Sequence, residues 1–206
     1  MSQSSSQQTH IAVIDTAVND YQALVDAARN KGQAIILVSP GSSGLSQLAD
    51  ALDGYSDVAS ISIFSHGRAG LLELGSDQVT AENINLYEET LTQISASLRD
   101  GADILLYGCE VGADEAGLIE RLSQLMGADV AASDDLTGNA ELGGDWELEI
   151  QKGEVGAEVA VDSAAMSTFE GILGSATFEF ESKDNSNNPN GGGLYGGTGK
   201  DDIEYT

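Results

Sequence analysis

One cysteine is present in the whole chain. It stands where an apolar run stops: "ILLYGCEVG" carries Cys109 directly after Gly108. A histidine stands the same way, with "ISIFSHG" carrying His66 directly before Gly67. A thiol is a strong nucleophile only as the thiolate, and an imidazole that takes its proton is a common activator. The pair therefore reads as His66 in the role of general base and Cys109 in the role of nucleophile. The glycines leave the main chain uncovered, so the N–H groups of Gly67 and Cys109 are candidate donors to a developing oxyanion. A bland reading stands beside this one. A lone cysteine at a strand end is most often a small core residue, and His-Gly is often just a turn. Zinc fits poorly, because besides carboxylates only His10, His66 and Cys109 could serve as ligands.

Placing those two residues together requires a particular set of elements. Apolar runs at 10–15, 33–40, 58–67, 102–109 and 128–135 read as strands. Between them, apolar residues at helical spacing predict helices over 19–32, 44–55, 81–101 and 114–127. Residues 69–80 read as a small hairpin or an extended excursion, 144–155 as a hairpin or edge strands around Trp146, and 162–173 as a short closing helix. Nearly all-apolar strands alternating with helices predict an α/β fold: a mostly parallel sheet flanked by helices on both faces, with a small β-hairpin extension. In such sheets chemistry sits at the carboxyl ends of the strands. His66 and Cys109 close two consecutive strands, so they are expected side by side. The helix expected from Asp114 would offer its N-terminus to a thiolate at Cys109, whereas the carboxylate of Glu110 opposes one.

Charge narrows the partners. Eight Lys and Arg against 34 Asp and Glu give a formal net charge of −26. That surface repels nucleic acid and anionic membranes, and suits cations, basic peptides and salty or calcium-rich surroundings. No apolar run reaches the length of a membrane span. A single cysteine excludes an internal disulfide framework. Residues 1–9 read as a flexible tail, and "MSQSSSQQTH" lacks the basic and apolar regions of a conventional signal peptide. The expected location is extracellular or at the cell surface by a route that does not read the N-terminus, in preference to the cytoplasm.

The composition shifts again at about residue 174. Residues 174–206 are rich in Gly, Asn and Asp and cannot build a core. Within them "GGTGKDDIE" (196–204) fits the calcium-binding nonapeptide pattern, with Asp201 as the expected ligand for Ca2+. One copy cannot fold alone, because neighbouring turns share each ion. The motif therefore implies a larger repeat protein; the other reading is a plain linker. Catalysis by Cys109 and His66 would itself need no cofactor.

The motifs also carry a resemblance. "ISIFSHGRAG" followed by "DILLYGCEVG" resembles the caspase–gingipain–legumain group of cysteine peptidases (clan CD), in order and near spacing. The wider pattern, with "GADVAASDDLTGN" and "LGGDWELE", resembles a domain of unknown function found at the N-terminus of large bacterial surface or secreted proteins with RTX or cadherin-like repeats. The resemblance spans about residues 10–150 of a domain drawn as 10–173. It implies a caspase–haemoglobinase-like fold, His66 as base, Cys109 as nucleophile and Gly67 in the oxyanion hole. It also implies that residues after the fifth strand shape the substrate pocket: Ser133, Asp134, Asp135 and Thr137. Glu110, next to the cysteine, joins that pocket only where it faces a basic substrate. Acidic residues there would favour Lys or Arg before the cleaved bond. The chain's own Lys152, Lys183 and Lys200 are then possible targets, and the substrate is a peptide, its own chain included. The alternative is a catalytically inactive module of the same shape, serving adhesion or assembly in a calcium-dependent surface protein.

Overall fold

A computed structural model of the chain describes residues 9–113 and 117–174. The first strand, β1 (Thr9–Asp15), leads into α1 (Tyr21–Asn30), then β2 (Ala34–Val38), α2 (Gly44–Ala51) and β3 (Val58–Phe64). A three-stranded antiparallel excursion follows: β4 (Gly67–Arg68), β5 (Leu71–Leu74) and β6 (Asp77–Thr80). The chain returns through a 3-10 turn (Ile84–Tyr87) into α3 (Glu88–Ser95), β7 (Leu98–Tyr107), α4 (Leu118–Met126) and β8 (Asp129–Ala132). The last elements are a 3-10 turn (Ala140–Leu142), β9 (Ile150–Lys152) and α5 (Ser163–Thr168).

The main sheet has the order β2-β1-β3-β7-β8-β9. Its strands are parallel except β9, which runs antiparallel on the edge. Because successive side chains point to opposite faces, the strands feed two cores. Ile11, Val13, Ile61, Ile63, Ile104 and Leu106 pack under α2, α3 and α4. Ala12, Ile14, Phe64, Leu105 and Tyr107 pack under α1 and α5. Helices thus cover both faces, which is why the parallel strands are mostly apolar.

Most expected elements hold, but the helix expected over 162–173 ends at Thr168, only Ile150–Lys152 of 144–155 is a strand, paired at the sheet edge with β8, and the largest change lies before β7. The helix read over 81–101 is a 3-10 turn plus α3, and β7 already begins at Leu98. The register jumps between Val58↔Leu98 and Ser60↔Asp103, so residues of β7 bulge out there. Gly101 supplies the required backbone, with φ of 66°. Leu98 and Ala102 sit at helical spacing from Leu91 and Ile94, and that spacing misleads the sequence reading. The excursion over 69–80 is a meander of three strands rather than a single hairpin.

Strand order reverses direction between β1 and β3, and their carboxyl ends form the crevice where α/β sheets bind ligands. The register pairs Phe64 of β3 with Tyr107 of β7. These two rings stack at 4.7 Å, and Trp146 tilts against both at 6.4 and 6.3 Å. Trp146 also meets Phe169 edge-on at 5.4 Å. Burial of rings this large contributes about 1.5–3 kcal/mol each. This aromatic platform floors the strand ends on one side of the sheet and ties down the chain that leaves α5.

Candidate functional site

His66 lies two residues beyond Phe64, and Cys109 two beyond Tyr107. They occupy matching positions on neighbouring parallel strands, whose axes are about 4.8 Å apart. The two strand-end loops touch backbone to backbone. A methyl group added at Gly67 would meet Val111 Cγ2 at 2.4 Å and the carbonyl oxygen of Cys109 at 3.0 Å. One added at Gly108 would lie 3.2 Å from the carbonyl oxygen of Ser65 and 3.5 Å from that of His66. Glycine is therefore required at 67, and it is what lets the two loops close on each other.

The histidine is oriented by a residue the sequence did not flag. Its Nε2 lies 3.3 Å from the carbonyl oxygen of Ala17, just past β1. A carbonyl only accepts, so the proton sits on Nε2 and Nδ1 carries a free lone pair. Nδ1 is buried, with no hydrogen-bond partner among the described residues. The Ala17 carbonyl is itself positioned by Asp15, a buried carboxylate at the end of β1. Asp15 Oδ1 accepts from Ala17 N at 2.8 Å, and Oδ2 accepts from Gly75 N at 2.7 Å. No histidine–carboxylate partner was legible in the sequence, and here a backbone carbonyl takes that place.

Cys109 is buried, with 1% of its surface exposed. Its Sγ accepts from Thr137 N at 3.3 Å and donates to the Thr137 carbonyl at 3.7 Å. Burial pushes the thiol pKa up; the Thr137 contact works downward, and the Glu110 and Asp135 carboxylates add to the rise. The helix expected from Asp114 is, among the described residues, α4 beginning at Leu118. Glu110, directly after the cysteine, has φ of 58°, an uncommon conformation for a non-glycine residue. This turn sends its side chain to solvent, while its N–H donates to the Asp135 carbonyl at 2.7 Å.

The expected pocket residues are split. Ser133 and Thr137 are fully buried, and Asp134, Asp135 and Glu110 are exposed. Ser133 Oγ lies 3.2 Å from the Asp135 carbonyl and shapes the loop rather than facing open space. Asp134, Asp135 and Glu149 bring carboxylate oxygens within 4.8 Å of one another, a surface grouping able to hold a divalent cation. The carboxyl of Asp135 is pushed up by partial burial and by Asp145 and Glu149. Asp201, Lys183, Lys200 and the nonapeptide lie outside the described residues, and Lys152 pairs with Glu120 at 2.9 Å. An open groove of about 410 Å3 lined by His10, Lys31 and Gln33 lies by the start of β1, remote from these strand ends.

A mostly parallel α/β sheet with helices on both faces defines the class of fold, and the comparisons give the family. The chain belongs to the family described as a domain of unknown function, DUF4347, matched over residues 11–173. No curated protein matches. Among solved structures it is similar to Mycobacterium tuberculosis 3-hydroxyisobutyrate dehydrogenase with L-serine, at 11% identity and a TM-score of 0.35. That match covers 64% of this chain and spans 42% of the dehydrogenase chain. No helix among the described residues is long and apolar enough to cross a membrane.

Proposed function

We propose that this domain is a cysteine endopeptidase of the clan CD type, working through His66 and Cys109 and acting on its own polypeptide. The observation that carries the reading is the state of His66. The Ala17 carbonyl accepts from Nε2, which leaves Nδ1 as a buried lone pair in the loop next to the one that carries Cys109. A free imidazole nitrogen is what a general base needs; Cys109 Sγ is engaged by Thr137, so the two side chains must turn toward each other before the thiol proton moves. Gly67 and Cys109 contribute their N–H groups to the oxyanion, and no cofactor enters the reaction. The exposed carboxylates of Glu110, Asp134 and Asp135 draw basic segments by long-range attraction.

The purified chain is expected to shorten with time, and Cys109→Ala and His66→Ala to stay intact. Shortening of Cys109→Ala at the wild-type rate would sink the proposal. The competing reading is an inactive module used for adhesion or assembly. It is favoured by the burial of Cys109 and the capture of its Sγ by Thr137 on both sides. For surroundings, we infer an exported, calcium-rich setting within a larger repeat protein, supported by the net charge of −26 and the nonapeptide at 196–204. Calcium should then raise the melting temperature beyond what sodium chloride of equal ionic strength achieves. Equal shifts would remove calcium from the account of this chain.

A further inference from the structure

The chain leaving α5 does not stop at the aromatic platform. Phe169 docks on Trp146, and residues 171–174 then run across the strand ends that carry His66 and Cys109. Asn139 N donates to the Gly171 carbonyl at 2.8 Å, and Leu173 N donates to the Thr137 carbonyl at 2.9 Å. Ile172 therefore opposes Gly138 in an antiparallel bridge, while Gly174 is bridged to Gly67 in the parallel sense. This is an extended peptide held by main-chain pairing, the way a protein edge commonly takes up a peptide ligand.

The held peptide meets Thr137, Cys109 and Gly67. The Thr137 carbonyl that receives Leu173 N–H is the same oxygen that Cys109 Sγ approaches at 3.7 Å. A methyl group at Gly174 would lie 3.5 Å from Cys109 Sγ and 3.9 Å from its Cβ, which is ordinary contact. Glu73 N donates to the His66 carbonyl, so Gly67 opposes Leu72 as a non-hydrogen-bonded pair. In such a pair the residue's own N–H and C=O turn outward, here toward the backbone bridged at Gly174. Leu173 is fully buried in an apolar cluster with Cys109, Tyr107, Trp146 and Phe169.

We propose that residues 171–174 are the peptidase's own substrate, already seated, and that the bond cut is Leu173–Gly174. The inference rests on the peptidase reading above and names its substrate. Leu173 is fixed at its N–H and at its side chain, so the carbonyl that follows is the one held in place. Gly67 offers its N–H from one side of that peptide group, and Gly174, lacking a side chain, leaves the thiol an approach. His66 Nδ1 takes the thiol proton and Cys109 Sγ bonds to the Leu173 carbonyl carbon. The Leu173–Gly174 C–N bond breaks and the Gly174 nitrogen takes the proton from His66. Water then hydrolyses the thioester, which frees a Leu173 carboxylate and restores the thiol. On this account the residue before the cut sits in an apolar pocket and is a large aliphatic one, not Lys or Arg.

The test is the position of the cut in the full chain, read by intact mass and by sequencing the new N-terminus. A fragment ending at Leu173 and a partner starting at Gly174, both absent from Cys109→Ala, are expected. Leu173→Met should cut within about threefold of wild type, and Leu173→Gln at least about tenfold more slowly, since an apolar pocket penalises a buried amide. Circular dichroism on each variant separates a lost cut from a lost fold, and Leu173→Met keeps the test open if Leu173→Gln does not fold. A Cys109-dependent cut at any other bond overturns this inference and leaves the peptidase reading intact. The absence of any Cys109-dependent cut overturns both.

Discussion

Cys109 is a thiol held neutral by its surroundings. Burial and the two nearby carboxylates raise its pKa, so at neutral pH its thiolate fraction lies below that of a free cysteine. Iodoacetamide should therefore label Cys109 more slowly than free cysteine at pH 7, with the rate still climbing above the ordinary thiol range; a rate that levels off below pH 8 would show a depressed pKa instead. Tyr107 gives a second pH signature. Burial pushes its phenol up to about 12. The unfolded chain loses that proton first, so stability present below pH about 10 should be lost progressively toward pH about 12. Alkaline melting of Tyr107→Phe beside wild type measures this, and identical pH dependence would contradict the assignment. The two side chains that define the site were legible because each follows an apolar strand and borders a glycine. Ala17 and Thr137 were not, because they act through backbone atoms that every residue owns.

At the scale of elements, the carboxyl ends of β1, β3 and β7 form one device. Asp15 fixes the turn after β1 and, through Gly75, the β5–β6 turn. Asp15→Ala leaves two N–H donors without this acceptor and should cost about 1–3 kcal/mol, visible as a lower urea midpoint. If the Ala17 carbonyl orients His66, the same variant also slows self-processing at temperatures where it remains folded. An unchanged rate would make Asp15 purely structural. Gly67→Ala is expected to be severe for a different reason, the 2.4 Å approach to Val111. Strand order and helix placement were readable from alternating periodicities. The start of β7 was not, because Gly101 lets a strand begin in residues spaced like a helix. The course of 171–174 was equally hidden: the sequence reads it as the end of a helix over 162–173, whereas its path is set by Thr137, Asn139 and Gly67, distant in sequence.

For the molecule as a whole, self-repulsion is the dominant electrostatic fact. A net charge of −26 is opposed among the described residues by three ion pairs, each with exposed or half-exposed partners, and such pairs are worth about 0–1 kcal/mol. Screening falls to a Debye length of about 10 Å at 0.1 M salt, so melting temperature should rise with sodium chloride. A flat or falling response would mean that the charges are neutralised in some other way. The two apolar cores lie on opposite faces of one sheet and hold the strand ends rigid despite that repulsion. The acidic surface was plain from composition, but composition could not reveal that the candidate site opens onto the chain's own apolar segment instead of an acidic pocket.

The central claim is that His66 activates Cys109 toward a peptide carbonyl. It is tested most directly by a thiol-directed peptidyl ketone bearing the chain's own Glu-Gly-Ile-Leu sequence, with labelling of Cys109 followed by mass spectrometry. Wild type should be labelled at Cys109, and His66→Ala at least about tenfold more slowly, in keeping with the usual scale of general-base assistance. Equal labelling rates in the two proteins, or no labelling of wild type, would contradict the account.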